Sequence, residues 1–358
     1  MKIEVSAPGK LVVIGEYGVL FGAPALVMAV DRRARVELMP AEGDRWILTA
    51  PEVASRPVGL AVLPSGELQW SDEVLAGRYF ALVDRLLCEL VSDRLVNLGD
   101  LTPAAATLDT TSFFQAHDGV PNKLGIGSSA ALTVALASAL LGWSAAGCVP
   151  DAGSQWLQTL IELHRKIQGG LGSGIDVAAS LLGGVIEYQL DGDGSVAKAA
   201  PVGLPGDLGF LCIWTGKSAS TGSFLKRLED RRSGDRQTVE RAIRRVIDAS
   251  QTGVEAIKLV SSSRFLDAVD IFWDALEGLG RVIEMPIASA EHRRLRQLAR
   301  IVGVRYKPSG AGGGDFGLAF DIDPERLAAM AACAEGGGFE VVGLGLDPVG
   351  VVCDVVET

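Results

Sequence analysis

The sequence predicts an α+β protein folded as two domains. At 358 residues the chain exceeds one typical domain. Short runs rich in Val, Ile and Leu, punctuated by glycine and proline, are interspersed with amphipathic stretches of helical period, so strands and helices are both expected. A Gly/Asp turn at Asp191–Ser195, followed by the Pro- and Gly-punctuated Val196–Asp207, marks a break that divides residues 1–195 from 196–358.

In chain order, Ile3–Ser6, Lys10–Ile14 and Ala25–Leu38 read as strands with turns at Pro8–Gly9 and across Gly15–Pro24. Trp46–Thr49 and Gly59–Leu63 continue the pattern. Ser71–Leu95 is expected to be helical, with Val83, Leu86, Leu87, Leu90 and Val91 on one stripe. Asp100–Pro121 should be extended and lead into Lys123–Ala131 (KLGIGSSAA). There Gly125 and Gly127 permit a tight turn, and Ser128 and Ser129 begin a helix that continues through the apolar Leu132–Leu141. Ser154–Gln168 is a second amphipathic helix, ended by Gly169–Gly170, with His164 packed on its apolar face. Past the break, Leu208–Trp214 reads as a buried strand, followed by helices over Thr238–Val260, Arg264–Leu279 and Ala288–Val302. Phe316–Ile322, Phe339–Leu346 and Val349–Val356 are expected strands, with a helix at Glu325–Glu335.

Composition narrows the function. With 48% hydrophobic and 22% charged residues, both halves can bury a core. A net charge of −11 argues against nucleic-acid or anionic-membrane partners, so an anionic small molecule needs a local cluster of Lys and Arg. Five scattered cysteines without a CxxC suggest neither a disulfide framework nor a zinc site. MKIEVSAPGK is unlike a signal peptide, so a cytoplasmic protein is expected. Leu124–Pro150 carries no charge, but Gly142–Trp143–Ser144 interrupts it, and a buried helix of roughly four turns fits better than a membrane span.

Four glycine-rich segments carry the chemistry: Ser6–Val19 (SAPGKLVVIGEYGV), Lys123–Ala131, Gly169–Ala178 (GGLGSGIDVA) and Lys307–Gly317 (KPSGAGGGDFG). The free N–H groups and dipole of a helix N-terminus favour phosphate, and such segments together fit one polyphosphate site. Three look-alikes fail. The GKS at Gly216–Ser218 has Leu211 where a Walker loop needs glycine, the DFG at Asp315–Gly317 lacks an HRD-type loop, and the GxGxxG at Gly312–Gly317 precedes a strand.

Ala7–Val19, Lys123–Ala131 and Lys307–Gly317 match, in order, the three signature motifs of the GHMP small-molecule kinases, a family the chain resembles across both halves. With TGKSAS (Thr215–Ser220) and GSGIDVAA (Gly172–Ala179), it is most similar to the phosphomevalonate kinase branch. The resemblance implies an N-terminal domain like the second domain of ribosomal protein S5 and a ferredoxin-like C-terminal domain, with the reactants meeting between them. It implies ATP and Mg2+ as cofactors and a phosphorylated small molecule, (R)-5-phosphomevalonate, as acceptor; a homodimer is left open. Lys123, Gly125, Ile126, Gly127, Ser128 and Ser129 would bind ATP, with Ser129 also near magnesium. Lys10 is expected beside the transferred phosphoryl group, and Asp176 as base or orienter. On the acceptor side the resemblance places Tyr17, Ser173, Lys217, Ser218 and Ser220, together with Ser309, Gly310, Ala311, Gly312, Gly313 and Asp315 of the third motif.

Phosphoryl transfer needs positioning and charge neutralisation more than covalent help, which suits lysine, magnesium and backbone N–H groups. A Lys10–Asp176 ion pair, if formed, would hold Asp176 ionised. The chain departs from the family pattern at three places. Gly170 stands where members of this branch often carry lysine, and Phe316 follows the third-motif Asp where Cys or Ser is frequent. Arg165 stands where mevalonate kinases supply a magnesium-binding Glu, leaving the second metal ligand unassigned. Mevalonate kinase or another small-alcohol kinase is the alternative, and a non-catalytic nucleotide or sugar sensor a further one. A phosphate-bearing acceptor needs an extra cation, for which Lys123, Lys217 and Lys307 are candidates.

Overall fold

The computed structural model describes all residues except 52, 64–65, 118–119, 145–152, 171, 192–193, 195–196, 218–221 and 357–358. From the start, β1 (Lys2–Ile14), β2 (Ala25–Pro40), β3 (Trp46–Thr49), β4 (Val58–Val62) and β5 (Leu68–Trp70) precede α1 (Glu73–Leu75) and α2 (Ala81–Ser92). A π-turn at Ala76–Phe80 joins these two, so the expected helix over Ser71–Leu95 contains one widened turn. Next come β6 (Ala104–Asp109), the antiparallel pair β7 (Phe114–His117) and β8 (Val120–Lys123), and α3 (Ser128–Trp143). They are followed by α4 (Ser154–Ile167), α5 (Ile175–Leu182), β9 (Val185–Leu190) and β10 (Ala197–Val202). The remainder begins with β11 (Gly209–Trp214), α6 (Gly222–Gly234), α7 (Arg236–Lys258), α8 (Ser262–Val282) and α9 (Ala290–Val302). It ends with β12 (Arg305–Ser309), β13 (Phe316–Asp321), α10 (Pro324–Gly336), β14 (Glu340–Val342) and β15 (Val352–Val356).

β2 is the spine of a nine-stranded sheet. β1 lies along one of its edges, while β9 and β6 pair with the first and last parts of the other. β1 does not break at Pro8–Gly9, as its sequence suggested; the register slips there and the strand continues through a bulge. The cause is tertiary. Gly9 lies so close to the loop before α3 that a Cβ would stand 2.7 Å from the Ile126 carbonyl oxygen, and the Lys10 N–H donates to that oxygen at 2.8 Å. A corner at this point would detach Lys10 from the loop.

β10 pairs with β9, and β15 returns to pair with the start of β1. The expected division at 195/196 therefore falls within this sheet, which takes in Ala197–Val202 and the last strand. The second sheet runs β14-β11-β13-β12 with every neighbour antiparallel, the ferredoxin-like order that the resemblance implied.

α3 fills the core of the first half. Only Ser129 and Leu132 of its residues are not buried, which accounts for the uncharged stretch without a membrane, since a helix enclosed on all sides is apolar all round. Among the described residues no helix is long and apolar enough to cross a bilayer. The two halves share a core: Leu11, Val13 and Ile14 of β1 pack in one cluster with Val246, Phe265 and Phe316. At ~1.5–3 kcal/mol for each large apolar side chain removed from water, that shared cluster holds the halves together and fixes the cleft at its rim.

Candidate active site

The cleft holds about 480 Å³, and three of its walls are the glycine motifs. Its floor is the start of α3. Gly127 caps this helix in a left-handed conformation (φ 84°) without a side-chain cap, and the helical ladder begins only with the Ala131 N–H donating to the Gly127 oxygen at 3.1 Å. The N–H groups of Ser128, Ser129 and Ala130 lie outside that ladder, and all three residues line the cleft. A helix start of this kind attracts phosphate. Gly125 (φ 73°) must be glycine on a second ground, because a Cβ there would lie 2.3 Å from the Asp315 carboxyl carbon. The third motif is thus laid directly over the second. Asp315 is held there by its N–H donating to the Lys217 carbonyl at 2.6 Å and by its own carbonyl accepting from the Thr215 N–H at 2.9 Å.

Lys10 and Asp176 both line the cleft. The stem of Lys10 lies against Gly127, its Cγ 3.1 Å from where a Cβ would stand. Asp176 sits in the first turn of α5, with Oδ1 accepting from the Val177 N–H at 3.0 Å. The Lys10–Asp176 ion pair entertained from sequence is not formed, and neither side chain has an oppositely charged partner among the described residues. Each is anchored to its own wall, leaving the space between them for a reacting group.

A buried ion pair that the sequence did not reveal ties the third motif to the first. Lys307 Nζ lies 2.5 Å from Glu16 Oε1, with Lys307 0% and Glu16 6% exposed. Burial pushes the Lys307 pKa down, opposed by the attraction of Glu16. The Gly310 N–H donates to the same Glu16 oxygen at 3.2 Å, and Ser309 Oγ donates to the Val12 carbonyl at 3.0 Å. Tyr17, itself at φ 61°, donates its hydroxyl to the Ala311 carbonyl at 2.5 Å and packs its ring on Phe224 of α6. From behind, His292 Nε2 donates to the Gly314 carbonyl at 2.9 Å and Nδ1 accepts from the Tyr306 hydroxyl at 2.8 Å. Burial lowers the His292 pKa to about 4, so the ring is neutral.

Of the other expected residues, Lys123, Ser128, Ser129 and Ser173 line the cleft, as do Ser309, Gly310, Ala311 and Asp315. Ile126 is buried and contributes only its carbonyl, to Lys10. Gly312 and Gly313 are not part of the lining; Gly312 turns back to accept from the Ser289 N–H at 2.9 Å. Lys217 points outward to Glu291 at 2.5 Å, away from the cleft, and this cation brings the Glu291 pKa down to about 2. Lys307, a candidate cation for the acceptor, is spent on Glu16. Ser218 and Ser220 lie outside the described residues. His164 is 2% exposed and meets Gln168 at 3.1 Å, in keeping with a packing role. Among the described residues no three His, Cys, Asp or Glu side chains form a metal cluster. The Ser129 hydroxyl and the Asp176 carboxylate, both in the cleft, are the oxygen groups that would hold a magnesium ion carried on phosphates.

Known proteins agree with this architecture. Residues 100–184 match the family model of the GHMP kinases N terminal domain. The chain is 31% identical over 353 residues to the phosphomevalonate kinase of Streptomyces sp. (strain CL190), covering 89% of each chain. It is 26% identical over 377 residues to the mevalonate kinase of Bos taurus, covering 94% of this chain and 91% of that one. In fold it is similar to the Streptococcus pneumoniae phosphomevalonate kinase solved in complex with phosphomevalonate and AMPPNP. The TM-score there is 0.74 at 20% identity, over 96% of this chain and 99% of that one. With three glycine motifs gathered on one cleft and a relative of this identity matched along most of its length, the chain belongs to the GHMP kinase family.

Proposed function

We propose that the protein transfers the γ-phosphoryl group of ATP to (R)-5-phosphomevalonate, forming (R)-5-diphosphomevalonate and ADP. The observation that carries this is the pairing of an unsatisfied α3 N-terminus with Lys10 and Asp176, which face the same space without neutralising each other. The similarity to the Streptomyces enzyme supports the choice of acceptor.

The residues act through position and charge. The N–H groups of Ser128–Ala130 hold the triphosphate, and Asp315 and Gly310 close over it from the third motif. Lys10 offsets the charge on the oxygens of the phosphoryl group in flight. Magnesium, when bound on the phosphates, adds to that neutralisation. An acceptor phosphate oxygen forms the new bond to the γ-phosphorus as the bond to the ADP oxygen breaks. A phosphate monoester, with a second pKa near ~6, is already deprotonated at neutral pH. Asp176 therefore has no proton to take from that phosphate, and orients the acceptor by accepting from the hydroxyl on its carbon chain. An alcohol acceptor such as mevalonate would instead need a base at that position.

The test is ADP release measured across phosphomevalonate, mevalonate, homoserine and galactose. Phosphomevalonate should exceed each of the others by at least ~100-fold in kcat/KM, the discrimination expected when a charged group is recognised in a desolvated site. A preference for mevalonate would overturn the assignment in favour of the alcohol kinase.

A further inference from the structure

We propose that Arg165 binds the phosphate of the acceptor, and so selects a phosphorylated substrate over a free alcohol. This rests on the phosphomevalonate kinase reading above. Arg165 stands in the last turn of α4, and its side chain crosses to the loop before α5. There Nε donates to the Gly172 carbonyl at 3.0 Å and Nη2 to the Ser173 carbonyl at 3.2 Å. Ser173 is fixed in turn by the Tyr188 hydroxyl, which donates to the same carbonyl. The guanidinium plane is thereby set against this loop, leaving Nη1 without an acceptor among the described residues.

Among the described residues no carboxylate pairs with this arginine, although the chain carries 44 acidic against 33 basic residues and Arg165 lines the cleft. Its place on the walls decides what it meets. Lys123 and Lys10 flank the loop at the start of α3, where a nucleotide triphosphate would lie. Arg165 lies in the same cleft beside the Ser173–Asp176 segment, and Asp176 is the residue that presents the acceptor. Two phosphate-bearing reactants repel each other at the reacting groups as they approach, whereas an alcohol brings no charge at its reacting oxygen. The phosphorylated acceptor thus needs a cation of its own, and a guanidinium offers a planar donor fork suited to phosphate.

The experiment is steady-state ADP release by the full chain and by Arg165→Met and Arg165→Lys, varying ATP and phosphomevalonate separately. Arg165→Met should raise the KM for phosphomevalonate by ~10- to 100-fold, the loss expected for a charge-assisted contact, with the KM for ATP changed by less than ~3-fold. Arg165→Lys should fall between, because it keeps the charge but loses the fork. An equal rise in both KM values, or a fall in kcat with the acceptor KM unmoved, would reduce Arg165 to a brace for the Gly172–Ser173 loop and overturn the proposal. Should the Met variant fail to fold, an unmoved acceptor KM in Arg165→Lys overturns it equally. Wild-type indifference to phosphomevalonate would defeat the underlying function and this assignment together. Wild-type turnover with unmoved variants would defeat Arg165 alone.

Discussion

Replacing Lys307 by Met should destabilise the protein by about 3–5 kcal/mol, the cost of breaking a buried ion pair from one side. The magnitude follows from what Glu16 would be left with. Its Oε2 already has no hydrogen-bond partner and its Oε1 would retain only the Gly310 N–H at 3.2 Å, at 6% exposure. Water cannot compensate a carboxylate so enclosed. Glu16→Gln alone should cost less, since an amide oxygen still accepts from the ammonium. The double variant Glu16→Gln/Lys307→Met removes both charges from the interior and should lie within about 2 kcal/mol of wild type, giving a coupling energy of at least ~1 kcal/mol. Urea unfolding of the four proteins, read as midpoint and slope, measures the cycle. Single variants within about 1 kcal/mol of wild type, adding without coupling, would show that the pair does not clamp the third motif to β1 and would refute the reasoning.

Lys10→Met and Asp176→Asn should each lower kcat by more than ~100-fold, as expected on removing a transition-state contact. Because no ion pair joins the two, neither substitution strands a charge, and both variants should unfold within about 1 kcal/mol of wild type; near-normal turnover in either would remove its assigned role. His292 makes a pH-dependent contribution. With its folded pKa lowered to about 4 from an ordinary 6.5, the unfolded chain binds the proton first on acidification. The stability tied to the neutral ring is full above pH 6.5 and declines by about 3 kcal/mol as the pH falls to about 4. His292→Gln should flatten that part of the unfolding profile, and an unchanged profile would contradict the assignment.

Local signals in the sequence located most of the site. Glycines beside serines at the head of an all-apolar run marked the start of α3, because both the turn and the burial are encoded within some twenty residues. The motifs around Lys10, Asp176 and Asp315 met in one cleft as their resemblance to known kinases implied. What escaped were features set by partners distant in the chain. Glu16 and Lys307 are separated by 291 positions, and each looks by itself like a solvated charge next to a glycine turn. The signal was clearer on one side, where Glu16 is the one charge in the otherwise apolar VVIGEYGV and burial demands a counter-ion. Pro8–Gly9 suggested a corner because proline and glycine punctuate most turns, but contact with Ile126 keeps β1 running. Lys217 was drawn to the acceptor by its position in the TGKSAS motif, whereas Glu291, 74 positions away, holds it outside. The strand partners of β10 and β15 likewise carry no local mark.

The most direct measurement of the central chemistry is phosphorus NMR of the purified enzyme with ATP, magnesium and (R)-5-phosphomevalonate. The acceptor's monoester resonance should give way to a mutually coupled pair from a new diphosphate, in step with conversion of ATP to ADP. An ATP signal that declines only into inorganic phosphate, with the acceptor monoester left intact, would contradict a cleft built to join two phosphates.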